Sequence, residues 1–276
     1  MKIICTILLI LSVGSCANGK ETVYRGCTPA NNVIKSFLRI PLTDSVDFIR
    51  WKISIHHNKY NLRCNYGIGK QNTNGFVNGG KWIELNGPLT RDGHYYYLRA
   101  DNKRLGVVEL NTNLIHFLDD NKNPMIGTGG WSYTLNAEKS VLTDQVNLVS
   151  KDVVLKDSMV FQGRTPCGDF SINPPNPKCI KMKWLIILYS KPGKNEPTTY
   201  LVNRSNLMPR EYPGKRGTWK VTKGKDGRII YELQPENEST PTYLLKLDDN
   251  IVAFTDKKGN LLVGDEDFSF TLSRRQ

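Results

Sequence analysis

The chain has 276 residues, with 38 Lys and Arg against 26 Asp and Glu, a formal net charge of +12, and 39% hydrophobic residues. A mean hydropathy of −0.42 excludes a polytopic membrane protein, and five Trp, twelve Tyr and nine Phe supply apolar area that disordered chains lack. At roughly 150 residues per domain the length predicts two compact units, each able to bury a core without staples.

Lys2 precedes the largely apolar run Ile3 to Leu11, and the small-residue stretch Ser12-Val13-Gly14-Ser15-Cys16-Ala17 follows. That run is too short to cross a hydrocarbon core as a helix, which takes about 20 residues. The segment therefore reads as a cleaved secretory signal. Val13-Gly14-Ser15-Cys16 resembles the lipobox of bacterial lipoproteins, which implies cleavage before Cys16 and lipidation of that residue. Cleavage after Ala17, with Ser15 and Ala17 as the small flanking pair, is the competing reading. Processing at Cys16 leaves Cys27, Cys64, Cys167 and Cys179 in an oxidising compartment, where four cysteines allow three pairings.

An internal repeat organises the rest of the chain. Residues 106–135 and 243–272 superimpose without a gap at an offset of 137. Leu110 meets Leu247, Asn113 meets Asn250, Phe117 meets Phe254, Asp119 meets Asp256 and Gly127 meets Gly264. Trp131-Ser-Tyr-Thr-Leu135 meets Phe268-Ser-Phe-Thr-Leu272. The same offset aligns Val23-Tyr24-Arg25-Gly26 and Thr28-Pro29 with Val160-Phe161-Gln162-Gly163 and Thr165-Pro166, and Gly80-Lys-Trp82 with Gly217-Thr-Trp219. Small shifts bring Trp51 to Trp184 and Asp92-Gly93 to Asp226-Gly227. The expected organisation is a signal and lipidated Cys over 1–16, a first domain over 17–138, a linker over 139–155 and a second domain over 156–276. This partition favours the pairings Cys27 with Cys64 and Cys167 with Cys179.

Within each copy the patterns are those of strands. In chain order, Trp51 to Ile55, Trp184 to Tyr189, Ile229 to Leu233 after an Asp-Gly turn, Tyr243 to Leu247 and Ile251 to Phe254 read as β. Phe268 to Leu272 alternates large apolar with small polar residues, the period of a sheet with one buried face. No segment has the pattern of a long amphipathic helix. The prediction is an all-β protein of two tandem small antiparallel β-barrels, since closure removes exposed strand edges. Trp51, Trp82, Trp184 and Trp219 recur between the copies on strand-like faces, as a shared core requires.

Catalytic and metal-binding patterns are sparse. Neither a Gly-x-Ser-x-Gly elbow nor a His-Glu-x-x-His helix is present. Gly75 to Lys81 has phosphate-loop spacing, but Trp82 stands where a hydroxyl must meet magnesium, so a hairpin turn is expected. Asp119 to Asn123 begins like a calcium loop, yet Pro124 replaces its glycine and Gly130 its bidentate Glu. The second copy, Asp256-Lys-Lys-Gly-Asn260, keeps the turn without the ligand pattern. His56 and His57, adjacent on a strand, are expected to face opposite ways. His94 lies beside a turn and His116 aligns with Ala253. Neither a metal site nor a cofactor is expected, and an enzyme is not. The cations are scattered through turns such as Lys215-Arg216, which suits anionic lipid surfaces better than nucleic acid.

Phe161-Gln-Gly163-Arg-Thr165-Pro166-Cys167-Gly168, followed by the Tyr200 strand, Gly217-x-Trp219 and the Leu-Leu-x-Leu-Asp-Asp run, resembles the N-terminal domain of NlpE-type copper-resistance lipoproteins. The likeness covers most of residues 158–274, and the first domain shares it more faintly through Gly26, Thr28 and Pro29. It implies a lipocalin-like β-barrel on an outer-membrane anchor, with a part in envelope-stress sensing. The motif residues carried over are Gly163, Thr165, Pro166 and Cys167. The family's Pro-Cys-x-x-Cys is broken here, because Phe170 follows Cys167 at that spacing and Ala30 stands at the matching position of the first domain. Copper handling thus loses its clearest ligands. The expectation is a lipid-anchored protein of the bacterial cell envelope, a non-enzymatic binding or stress-sensing module with an envelope protein as partner. The alternatives are a carrier of a small hydrophobic ligand and copper handling through Cys167 and Cys179.

Overall fold

A computed structural model of the chain describes residues 21–150, 152–167, 179–205 and 214–275. The signal segment and Cys16 lie outside the described residues. The all-β prediction holds, and each copy closes into an eight-stranded antiparallel barrel.

The first barrel is a meander of β1 (Thr22–Thr28), β2 (Phe48–His56), β3 (Lys59–Gly67), β4 (Lys81–Asp92), β5 (Tyr95–Ala100), β6 (Lys103–Asn111), β7 (Leu114–Leu118) and β8 (Thr134–Ala137). It closes where Tyr24 pairs with Ala137 and Arg25 with Asn136. The second repeats the plan with β9 (Ser158–Thr165), β10 (Met182–Ser190), β11 (Pro197–Ser205), β12 (Lys215–Lys223), β13 (Ile229–Pro235), β14 (Thr242–Lys246), β15 (Ile251–Thr255) and β16 (Thr271–Arg274). Ser273 opposite Gln162 and Arg274 opposite Phe161 complete it.

Strand alternation fills each interior. Ile49, Trp51, Ile53 and Ile55 of β2 point inward, while Lys52 and Ser54 point out. Met182, Trp184, Ile186 and Leu188 do the same in β10. Gly26 lies opposite Trp51 and Gly163 opposite Trp184. At both positions an added Cβ would come 2.8 Å from a leucine methyl, of Leu135 and of Leu272 respectively, so only glycine leaves room for that leucine. Trp51 Nε1–H donates to Thr28 Oγ1 (2.8 Å) and Trp184 Nε1–H to Thr165 Oγ1 (2.9 Å), which satisfies each buried indole nitrogen. The rings pack on Phe117 and Phe254 at 4.8 and 4.9 Å.

β7 and β15 are buried on both faces because the barrels pack on each other there. Ile115 and Phe117 enter the first core and Val252 and Phe254 the second. Leu114, Leu118, Ile251 and Ala253 join Val108, Leu110, Leu245, Leu247 and Leu261 in a third core between the barrels. Val146, Leu148 and Val149 of the linker cover it, and the linker backbone bonds to both sides, Asn147 N–H to Leu110 O and Ser150 N–H to Lys246 O.

Beside this apolar half runs a polar half with twofold character. Ser132 and Ser269 hydroxyls meet at 2.7 Å, and Thr271 donates to Thr134 at 3.1 Å, each pair joining equivalent positions of the repeat. Gly264 N–H donates to Asn136 Oδ1, and its mate Gly127 N–H donates to Ser273 Oγ, both at 2.9 Å. Contacts of residue i with j and of j with i are the mark of a self-complementary interface. The repeats pack as the two halves of a homodimer do, within one chain.

Register corrects one alignment made on sequence. Tyr60 stands opposite Gly87 and Tyr200 opposite Gly217, and in both the glycine leaves no room for a Cβ against the next strand. Gly217 therefore matches Gly87, not Gly80, and the buried Trp219 matches the buried Leu89. Trp82 does not share the core. It is 58% exposed on the outer face of β4, under the Arg63 guanidinium.

Candidate functional site

Among the described residues, the two barrels differ at the mouth where β1 and β9 end. Asn31 caps a short helix, α1 (Asn32–Phe37), by accepting the Ile34 N–H at 2.9 Å. Ile34 and Phe37, one turn apart, and the following Leu38 drop into the first barrel's mouth and seal it. Lys35 is buried beside them and its ammonium donates to Leu42 O (3.2 Å) and Asp44 O (2.7 Å). Sequence reasoning missed this helix; its signal was an Asn followed by apolar residues one turn apart.

In the second barrel the same level is polar. Counting from the matched Tyr60 and Tyr200, Arg204 occupies the place of Cys64; counting from Gly87 and Gly217, Lys215 occupies the place of Leu85. They rim a small cavity of ≈ 40 Å³ with Glu238, above Trp184, Tyr200 and Val202. Burial lowers the pKa of Arg204. Burial and then the nearby charge of Arg204 lower that of Lys215, whose ammonium is ion-paired with Glu238.

A second polar cluster lies on the interface. Asp267 Oδ1 accepts from Arg50 Nε (3.0 Å) and from the Cys27 thiol (3.3 Å), and Asp267 Oδ2 from Asn74 Nδ2 (2.8 Å). Cys27 N–H also donates to Asp267 O. Burial and the adjacent Asp267 raise the Cys27 pKa, so the sulfur stays a thiol.

The expected pairing of Cys27 with Cys64 does not form, and both are free and buried. Cys27 lies opposite Arg50 on the outer face of the sheet, whereas Cys64 lies opposite Trp51 and points into the core. Neighbouring rows of one sheet alternate faces, so the thiols diverge. Cys167 and Cys179 do form a disulfide, with Cα atoms 5.7 Å apart. The motif residues Gly163 and Thr165 serve the core, Gly163 by leaving room for Leu272 and Thr165 as the hydrogen-bond acceptor of Trp184, and the buried Pro166 carbonyl accepts from the Thr165 hydroxyl.

His56 and His57 depart from the expectation of opposed side chains. His57 takes a left-handed turn conformation (φ 51°), which brings the two rings to 4.2 Å, edge to face. They line an open cleft of ≈ 570 Å³ with Lys59, Tyr60, Asn86 and Pro88. The cleft lies at the end of the barrel where β1 enters, Thr22 being paired with Ile55. His94 is exposed. His116 is buried in the interface, its Nε2 2.9 Å from Met125 O and its Nδ1 2.8 Å from Thr134 Oγ1. Because a carbonyl only accepts, Nε2 carries the proton and Nδ1 accepts from the threonine. Burial, opposed by the Met125 bond, pushes its pKa down to about 4. Among the described residues no group of three or more His, Cys, Asp or Glu side chains converges.

Gly75 to Lys81 forms a turn between β3 and β4, with a 3-10 segment at Val77–Gly79. Asp119 Oδ1 accepts from the N–H groups of Asn121 and Asn123, and Asp256 Oδ1 from those of Lys258 and Asn260. Both copies thus use the carboxylate to close a turn, as the shared pattern indicates. Compared with known protein families, curated proteins and solved structures, the chain finds no match.

Proposed function

We propose that the protein is an exported, lipid-anchored, non-enzymatic binding module of the bacterial cell envelope, with the Arg204–Lys215 end of its second barrel as the recognition end. The observation that carries this reading is the polarity of the rim: among the described residues, Arg204, Lys215 and Glu238 ring the second mouth, and Arg204 and Lys215 stand where the first barrel has Cys64 and Leu85. Charged groups half-withdrawn from water at an opening favour a polar or anionic partner. Lipid at Cys16, six residues before β1, tethers the first barrel by the end that bears the His56–His57 cleft. The net charge of +12 then adds attraction to anionic headgroups.

The carrier reading is weaker. Among the described residues, the cavity at this mouth is ≈ 40 Å³, far below the roughly 300–1,000 Å³ of small-molecule sites. Copper handling by Cys167 and Cys179 requires reduction first, because a disulfide offers no thiolate.

Mass spectrometry of the mature N-terminus tests the anchor: an acylated Cys16 is expected, and an unmodified chain beginning at Asn18 overturns it. Capture from native envelopes with the anchor intact tests the mouth. Lys215→Glu is expected to deplete the partners held by the wild type, and an unchanged set rejects this end as the recognition surface.

A further inference from the structure

The polar half of the interface contains two equivalent positions, and only one is filled. At the first, Asp267 of the second barrel enters between Cys27 and Arg50 of the first barrel. The offset of 137 carries Asp267 to Gly130 and Cys27 to Arg164. Strand pairing carries Arg50 to Lys183, since Arg50 stands opposite Cys27 and Lys183 opposite Arg164. Phe48, three residues before Trp51, is matched by Lys181, three before Trp184. At the second position the matched residues are three cations of the second barrel, Arg164, Lys181 and Lys183, and a glycine in place of the carboxylate, with Arg164 beside that glycine.

The surroundings fit an external carboxylate. The Arg164 guanidinium lies 4.8 Å over the Trp131 ring, whose other contact is a 4.5 Å stack on Phe48, so its plane is fixed. Arg164 Nε is buried without a hydrogen-bond partner. Among the described residues, no ion pair engages Arg164, Lys181 or Lys183. Lys181 lies 6.0 Å from the Phe268 ring. Burial lowers the pKa of Arg164; burial, Arg164 and Lys183 lower that of Lys181, against the longer-range pull of Asp267. A Cβ built on Gly130 meets Arg164 Nη1 at 3.6 Å and Thr128 Oγ1 at 3.5 Å, ordinary contacts, and Thr128 and Gly129 beside it are exposed. There is room for the missing group and a path to it from solvent.

We propose that this half of the interface is a carboxylate-binding site, in which Arg164 and Lys181 grip the ligand on the Trp131 platform and Gly130 leaves the space that Asp267 fills opposite. A planar guanidinium presents two parallel N–H groups to a carboxylate, and the bond satisfies the buried Nε. The site is separate from the barrel mouth and stands or falls without it.

The test is a titration of the full chain, at constant ionic strength balanced with chloride, with acetate and with acetyl-Glu-Asp-Phe-amide, the peptide that imitates Glu266-Asp267-Phe268. The readouts are the Arg164 Nε–H and Trp131 indole N–H resonances. Both are expected to shift saturably. Gly130→Asp supplies the carboxylate from within. It is expected to weaken both probes at least about tenfold and to place the Arg164 Nε–H resonance where saturating acetate places it in the wild type. Arg164→Gln is expected to abolish the Trp131 response, and it serves alone should the aspartate variant not fold. Tighter binding of the peptide identifies an acidic protein segment as the source of the carboxylate, and equal affinities identify a free small acid. Absence of a saturable shift, or affinities unchanged by Gly130→Asp or Arg164→Gln, overturns the proposal.

Discussion

The loop at 264–268 of the second barrel reads Gly-Asp-Glu-Asp-Phe, and its mate at 127–131 of the first reads Gly-Thr-Gly-Gly-Trp. The acidic loop neutralises its neighbour, with Glu266 on Arg25 and Asp267 on Arg50. The glycine loop leaves Gln162 and Arg164 of the other barrel facing Gly129 and Gly130. A true homodimer cannot do this, because any substitution appears on both sides of the axis. Tandem fusion frees each half to change alone. One end of the axis can become a structural lock while the other keeps its cations and loses the group that opposed them. The described residues of the mouths diverge as well, Cys64 and Leu85 of the first standing where the second has Arg204 and Lys215.

The largest test of this asymmetry is acid. His116 belongs to the first barrel, and Ala253 takes its place in the second. Thr271 donates to Thr134, which donates to neutral His116, so a chain of hydroxyls across the interface ends on this ring. The folded pKa of about 4 lies below the ordinary value of 6.5, so the unfolded chain takes up the proton first as pH falls. The stabilisation by neutral His116 is complete above pH 6.5 and is lost on acidification towards pH 4. The loss amounts to about 3 kcal/mol when integrated. Urea unfolding at pH 7.5 and pH 4.5 should show this fall in the wild type. His116→Ala, which copies the second barrel, should flatten it, and an equal slope in both proteins would place the acid sensitivity elsewhere.

Next in size is the lock itself. Asp267→Ala leaves the Arg50 guanidinium, the Asn74 amide and the Cys27 thiol without their acceptor. Arg50 keeps about a third of its side-chain exposure, so water recovers part of the loss and the expected cost is about 2 kcal/mol. Chemical denaturation measures it. A change below about 0.5 kcal/mol, the range of ordinary surface substitutions, would mean that the apolar core between the barrels holds them without this contact.

Much of the fold was legible because barrel strands obey a two-residue period and the copies share their anchors. Gly26 and Gly163, Thr28 and Thr165, and Trp51 and Trp184 each do one job twice. The run Ile251 to Phe254 was legible as a strand, whereas the burial of β7 and β15 on both faces follows from the packing of the barrels on each other. The sites were less legible. Cys27 and Cys64 occupy adjacent rows of one sheet, and only register shows that adjacent rows point apart. The vacancy at Gly130 sat in the aligned repeat as an aspartate facing a glycine. It acquires meaning once folding places Arg164 against it.

The smallest effect belongs to the residue that sequence alignment placed in the wrong frame. Trp82 and Trp219 both follow a glycine at the same spacing, which suggested equivalent positions. Trp219 is buried, donates its indole N–H to Tyr189 O at 2.7 Å and meets Tyr231 edge to face at 5.2 Å. Trp82 offers only an exposed face to Arg63 at 4.4 Å. A cation over an aromatic ring at the surface contributes about 0.5–1 kcal/mol, and Trp82→Ser removes this contact and the partial cover of a ring that is 58% exposed. Its unfolding midpoint in urea should therefore fall only slightly and its m-value not at all. A loss of several kcal/mol would return Trp82 to the core, and with it the frame in which Gly80 matches Gly217. The pairing of Gly87 with Tyr60 opposes that frame, because a side chain on Gly87 would stand 2.3 Å from Arg99 O.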